Sequence, residues 1–211
     1  SIFWEARKHA LPEHLLLEYN LLDKGLCKQK QNHFRLTGEV IMMEEKGFRL
    51  PDKDWERNCV LIIGECGVGK TWVMQRLLKG ESVKGYKLGK YYFHETDKFI
   101  VVGKYNGGTY QGSDRLSMSV MTDLNQMLAY ISKAEKLAVF EGDRFTNSKF
   151  IERAEPLILK IKGDGETGRI KRGSNQSERQ IKSIRTRVGN ITSHRDISTS
   201  DDCFKLVRAL A

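Results

Sequence analysis

Two hydrophobic periods alternate along this chain. CVLII (residues 59–63) is a short apolar run rich in β-branched side chains, the pattern of a strand buried on both faces. TWVMQRLLKG (71–80) follows with helical spacing and a glycine that stops it. KYYFH (90–94) and KFIVVGKY (98–105), separated by ETD, predict two extended segments joined by a tight turn, and GGTYQG (107–112) breaks regular structure. Helical spacing returns over 119–133, with Val120, Leu124, Leu128 and Ile131 on one stripe. LAVFEGD (137–143) predicts another buried strand with acids at its carboxyl end, TNSKFIERAEP (146–156) a capped short helix ended by Pro156, and LILKI (157–161) a further buried strand. GDGETGRIKRGSNQ (163–176) reads as loop and 177–188 as a helix with Ile181, Ile184 and Val188 inward. This alternation predicts an α/β fold of three layers with a mainly parallel sheet and ligand sites at the strands' carboxyl ends. Residues 1–55 read as an extension ahead of that domain. A helix over 12–29 begins at Pro12 and carries Leu15, Tyr19, Leu22 and Leu26, and GEVIMM offers a short strand. The main domain is expected over 56–211.

Composition narrows the class. A chain of 211 residues can bury one full core, and 39% hydrophobic with 30% charged residues is ordinary for a globular protein. No stretch approaches the roughly 20 apolar residues of a membrane span, so a soluble, cytoplasmic protein without a membrane partner is expected. No secretory leader is visible, and Ser1 in place of Met suggests a trimmed start. Cys27, Cys59, Cys66 and Cys203 lie far apart without a CxxC pair, which argues against a disulfide framework or a zinc site. The net charge of +9 favours polyanionic partners, DNA first. Residues 160–187 hold nine Lys and Arg against three acids, which concentrates most of that excess in one segment.

The chemistry begins at GECGVGKT (64–71), a full match to GxxxxGK[ST] placed between a buried strand and a helix, the context of a P-loop that binds a nucleoside triphosphate. Gly64, Glu65, Cys66, Gly67, Val68, Gly69, Lys70, Thr71 and Trp72 are the candidate nucleotide-binding residues. The glycines let backbone N–H groups face phosphate, and the helix start adds partial positive charge. Lys70 is expected on the β- and γ-phosphates and Thr71 on Mg²⁺, with Glu141 at the end of LAVFE, or Asp143 two residues later, as the acid that meets the metal. No base-reading motif separates ATP from GTP.

Phosphoryl transfer to a bound hydroxyl requires cations that close over the moving group and exclude water. Arg179, Lys182, Arg185 and Arg187, on the basic segment, suit such a lid; a basic helix that only touches DNA phosphates is the alternative. The acceptor needs a carboxylate and an anchoring cation, and YQGSDRLS (110–117) offers Asp114, as general base or acceptor-binding acid, and Arg115, as anchor for a substrate phosphate or the γ-phosphate. A structural cap with a surface arginine is the competing reading. His94 and Asp97 read as residues of a hairpin turn within reach of an acceptor. Tyr91, Tyr92, Phe93, Tyr105 and Tyr110 include either a base-stacking platform or core aromatics.

With the P-loop, VVGKYNGGTYQGSDRLSMSV, LAVFEGDRF and SIRTRVGNI in order, residues 59–191 resemble the P-loop kinases of bacteriophages, in particular the 5-hydroxymethyluracil DNA kinases. The resemblance implies a kinase-like P-loop NTPase fold and ATP- and Mg²⁺-dependent phosphorylation of a pyrimidine hydroxymethyl group within phage DNA, inside a host cell. DNA would then be the substrate, and the base would have to leave the stack to react. A kinase of free nucleotides or small metabolites and an NTP-dependent DNA-binding ATPase are the alternatives. Oligomeric state is not legible.

Overall fold

The computed structural model describes residues 58–105, 107 and 111–211; the expected helix at 12–29, the GEVIMM strand and Tyr110 lie outside them. Among the described residues seven strands form one sheet: β1 (Cys59–Gly64), β2 (Lys84–Leu88), β3 (Tyr91–Glu95), β4 (Phe99–Val102), β5 (Leu137–Glu141), β6 (Leu157–Ile161) and β7 (Arg195–Ile197). The spatial order is β2-β3-β4-β5-β1-β6-β7, parallel from β4 to β7 and antiparallel where β2 and β3 extend the edge. Six α-helices accompany it: α1 (Lys70–Leu78), α2 (Leu124–Lys133), α3 (Ser148–Ala154), α4 (Glu166–Lys171), α5 (Glu178–Gly189) and α6 (Ser200–Ala209).

The two apolar faces of the central strands explain the layering. Leu61, Ile63, Ala138 and Phe140 turn one way, onto Leu124, Met127 and Ile131 of α2, Phe150 of α3 and Val188 of α5. Val60, Ile62 and Val139 turn the other way, onto Val73, Met74 and Leu77 of α1 and Cys203, Leu206 and Val207 of α6. Helices thus cover both faces, an arrangement compatible with a three-layer α/β fold. β1 and β5 are parallel neighbours, with Ile62 opposite Glu141. The chain leaves β1 for α1 on one face and leaves β5 for α3 on the other, which opens a crevice at their carboxyl ends.

Several boundaries differ from the sequence reading. The helical stretch at 119–133 divides into a 3-10 turn (Val120–Asp123) and α2, and Met127 takes the buried place beside Leu124 and Ile131 while Leu128 is half-buried. The expected loop at 163–176 contains α4, a helix with no buried residue and so with no apolar stripe to announce it. In α5, Val188 is buried, Ile184 packs at the edge of the core and Ile181 is only half-buried. β2, β7 and α6 were not anticipated at all. β2 is an edge strand, KGYKL, whose lysines suit solvent rather than core. α6 carries a legible signal: Thr199 caps it by accepting from the Asp202 N–H, and Cys203, Leu206 and Val207 form a helical stripe.

Among the described residues no helix is long and apolar enough to cross a membrane. Packing beneath the crevice is aromatic. Phe140, Phe145 and Phe150 are fully buried with ring centroids 4.8–5.0 Å apart. Phe150→Ala is therefore expected to lower the unfolding free energy by about 3–5 kcal/mol, read from urea denaturation of both proteins.

Candidate functional site

At the head of β1 the chain turns through Gly64, Gly67 and Gly69, all at positive φ (150°, 95° and 96°). Gly69 is the N-cap of α1, whose first N–H groups have no partners within the helix. Crowding makes the glycines necessary. A Cβ on Gly67 would overlap Gly165 O, and one on Gly69 would stand 2.8 Å from the Ser200 Cβ. Lys70 folds back over this loop, its Nζ donating to Gly64 O (2.9 Å) and Glu65 O (2.8 Å).

Across the crevice, Glu141 ends β5 with 4% exposure. Its Oε1 accepts from Thr71 Oγ1 (3.3 Å) and from Tyr105 Oη (3.1 Å). Burial pushes the carboxyl up to about 7 and the Asp114 charge adds to the rise, while Lys70 and the two hydroxyl donors oppose it. Tyr105 is itself held in place by His94: the Tyr105 N–H donates to His94 Nε2 (3.3 Å) and the rings meet edge to face. His94 is thereby a structural residue, kept towards its neutral form by burial. Asp97 is exposed on the turn. Tyr91 and Phe93 are fully buried core residues rather than a platform, and Tyr92 is half-buried with the Lys104 ammonium 4.1 Å from its ring centre.

The GSDR segment packs directly on this carboxylate. Gly112 (φ 80°) lies so close that a Cβ would overlap Glu141 Oε1, and a Cβ on Gly142 would overlap Ser113 Oγ. A 3-10 turn, Ser113–Arg115, then presents Asp114 to a cavity of about 1140 Å³ that Lys70, Thr71, Glu141 and Asp143 also line. Burial, then the charge of Asp143, raises the Asp114 pKa; Lys70, Arg144 and Arg172 pull it back. Arg115 lies outside that wall, its Nη1 donating to Gly107 O (3.3 Å).

The basic segment closes the cavity from above, but not all of its cations face inward. Arg179 and Arg187 line it, with Arg187 Nη1 2.8 Å from Asp143. Arg185 instead clasps Glu65 through two hydrogen bonds of 2.8 and 2.9 Å, and Lys182 is exposed outside the lining. Arg144 and Arg172 complete the cationic lining, and sequence reasoning missed both as site residues. The buried Arg144 Nε–H has no acceptor among the described residues. The signal was present: Arg144 follows Asp143 in the very strand end that supplied the acids.

α4 grips the Gly-rich loop. Arg169 Nη1 donates to Cys66 O (3.0 Å) and also to Asp164 O, Gln176 Nε2 donates to Cys66 Sγ (3.3 Å), and a Cβ on Gly168 would overlap Gly67 O. Lysine, threonine, three carboxylates and four arginines therefore share one crevice, an arrangement suited to holding a polyanion and moving a proton beside it. Comparisons with protein-family models, curated proteins and solved structures find no match to this chain.

The raised Glu141 carboxyl has a consequence for pH dependence. Between the ordinary value of 4.5 and about 7 the folded chain keeps a proton that the unfolded chain releases, so stability falls as pH rises through that window. The loss is on the order of 3 kcal/mol. Without divalent cations, Glu141→Gln is expected to gain on the parent protein in thermal stability between pH 5 and pH 8; parallel melting curves across that range would contradict it.

Proposed function

We propose that this chain is a P-loop phosphotransferase that uses ATP (or GTP) and Mg²⁺ to phosphorylate a hydroxyl, and that its acceptor is the hydroxymethyl group of 5-hydroxymethyluracil in DNA. The observation that carries the reading is the presence of a further carboxylate, Asp114, in the same cavity as Lys70, Thr71 and Glu141. A nucleotide-hydrolysing switch has no need of that acid; transfer to an alcohol does.

The residues fit a magnesium nucleoside triphosphate. The positive-φ glycines leave three positions of the loop without a side chain, and Arg144 offers a buried N–H without an acceptor among the described residues. When bound, that group supplies the phosphoryl and a cation that offsets its charge. Lys70 would exchange its two carbonyl acceptors for phosphate oxygens. Thr71 and Glu141, already hydrogen-bonded to each other, would hold the cation, a role Asp143 is less free to take while it pairs with Arg187. Asp114, with its proton affinity raised, receives the proton of the acceptor hydroxyl. Arg172, Arg179 and Arg187 balance charge over the transferred group, and the α4–α5 segment keeps water from it. The resemblance of GSDRLS and FEGDRF to the phage DNA kinases, together with the net charge of +9, supports the DNA acceptor.

The test is transfer of label from γ-³²P-ATP to DNA duplexes containing thymine, 5-hydroxymethyluracil or 5-hydroxymethylcytosine, beside free nucleosides and nucleotides. Label on the hydroxymethyluracil duplex is the expected result; label on monomers alone would make the protein a metabolite kinase, and phosphate released to water alone an ATPase. Asp114→Asn should reduce transfer by about 10²–10⁴-fold while ATP affinity stays within about threefold, measured by equilibrium binding.

A further inference from the structure

Beside the main cavity runs a second groove of about 520 Å³, lined by Trp72, Gln75, Arg76 and Lys79 of α1 and the C-terminal side of it, and by Phe204 and Arg208 of α6. Trp72 and Gln75 line both spaces, so the two are neighbours. Gln75 also donates to Gln111 (3.0 Å), three residues before Asp114, which joins the groove to the acceptor side of the cavity.

The composition of the groove is specific. It holds three cations, two aromatic rings, one amide and no acid. Residues 72, 75, 76 and 79 fall on the face of α1 opposite the buried Val73, Met74 and Leu77, so nothing in the core requires a tryptophan there. Trp72 is nevertheless 38% exposed. The Arg76 guanidinium lies 4.9 Å from the Trp72 ring centre and 4.8 Å from that of Phe204, and the Arg208 guanidinium lies 5.8 Å from the Phe204 ring centre. Asp201 reaches Arg76 only at 3.6 Å and also serves Lys205 (2.8 Å), which leaves the groove's positive charge largely uncompensated among the described residues. From 72 to 79 the helix rises roughly 10 Å, the length of about three stacked nucleotides.

We propose that this groove binds the single-stranded DNA next to the acceptor nucleotide, stacking a base on Trp72 and pairing backbone phosphates with Arg76, Lys79 and Arg208. Cations beside an exposed ring, here Trp72, are a means by which proteins hold single strands without reading sequence. The inference deepens the DNA-acceptor reading and rests on it for the identity of the polymer. It supplies what the main cavity lacks, a path by which a chain too long for the crevice can leave it.

Binding can be tested apart from catalysis, with a fluorescein-labelled oligonucleotide of about 12 mixed-sequence nucleotides that contains no hydroxymethyluracil. Lys79 and Arg208 do not line the main cavity, so the double variant Lys79→Glu/Arg208→Glu should bind ATP as the parent does. Its oligonucleotide affinity should fall at least about tenfold, and the salt slope should shrink by about 1.4, two contacts at roughly 0.7 each. A control, Lys98→Glu/Lys149→Glu, reverses two exposed charges elsewhere and should lose far less. Equal losses in the two variants, no loss in the first, or binding of duplex alone would overturn the groove assignment. These results are independent of label transfer: a protein that binds the strand through the groove yet phosphorylates no acceptor would sink the kinase reading and leave the groove standing.

Discussion

The arrangement depends on keeping a carboxylate where water is scarce. Glu141 ends a central strand, almost fully buried, and a charge in that position is costly unless donors and cations surround it. Thr71 reaches it from the start of α1, Tyr105 from the segment after β4, and Lys70 supplies the opposing charge. Two separate parts of the chain are thus tied to one side chain. His94 extends the network outward by fixing Tyr105, and Gly112 permits the Asp114 segment to lie against the same oxygen. The spacing between the Gly-rich loop and Asp114 is set by how closely both can approach Glu141.

That network is polarised in a useful way. The Asp114 charge raises the proton affinity of Glu141, and the Asp143 charge raises that of Asp114. Arginines 144 and 172 act on Asp114 in the opposite sense, and the Arg187–Asp143 pair removes the third acid from direct competition. The cavity holds its charges in opposition, with burial rather than ion pairing as the main influence on Glu141.

Much of this was legible in the sequence because it rests on local patterns. CVLII, LAVFE and LILKI announce buried strands by their apolar runs, and GECGVGKT fixes a loop between strand and helix. Glu141 could be chosen because an acid at the end of an apolar run is exceptional. What escaped was set by tertiary contact. α4 has no apolar face and forms where Gly165 and Gly168 fit against the Gly-rich loop, which no periodicity records. The direction of each arginine was equally hidden: Arg185 and Arg187 lie two residues apart on α5, yet one holds Glu65 and the other Asp143. Arg115, beside Asp114 in sequence, leaves the cavity because a 3-10 turn sends successive side chains about 120° apart. Of the aromatic residues in the extended segments, Tyr91 and Phe93 were absorbed by the core, the common outcome for a large apolar ring, while Tyr105 turns to Glu141.

The contact of Gly67 with Gly165 and Gly168 gives the molecule a mechanical property. Backbone lies on backbone there with no side chain between to yield, and Arg169 and Gln176 tie the same loop from the far side. Side-chain packing can absorb a small displacement by changing rotamers; this junction has none to change. The loop and α4 are therefore coupled through direct backbone contact, so that a change in the shape of one bears at once on the other.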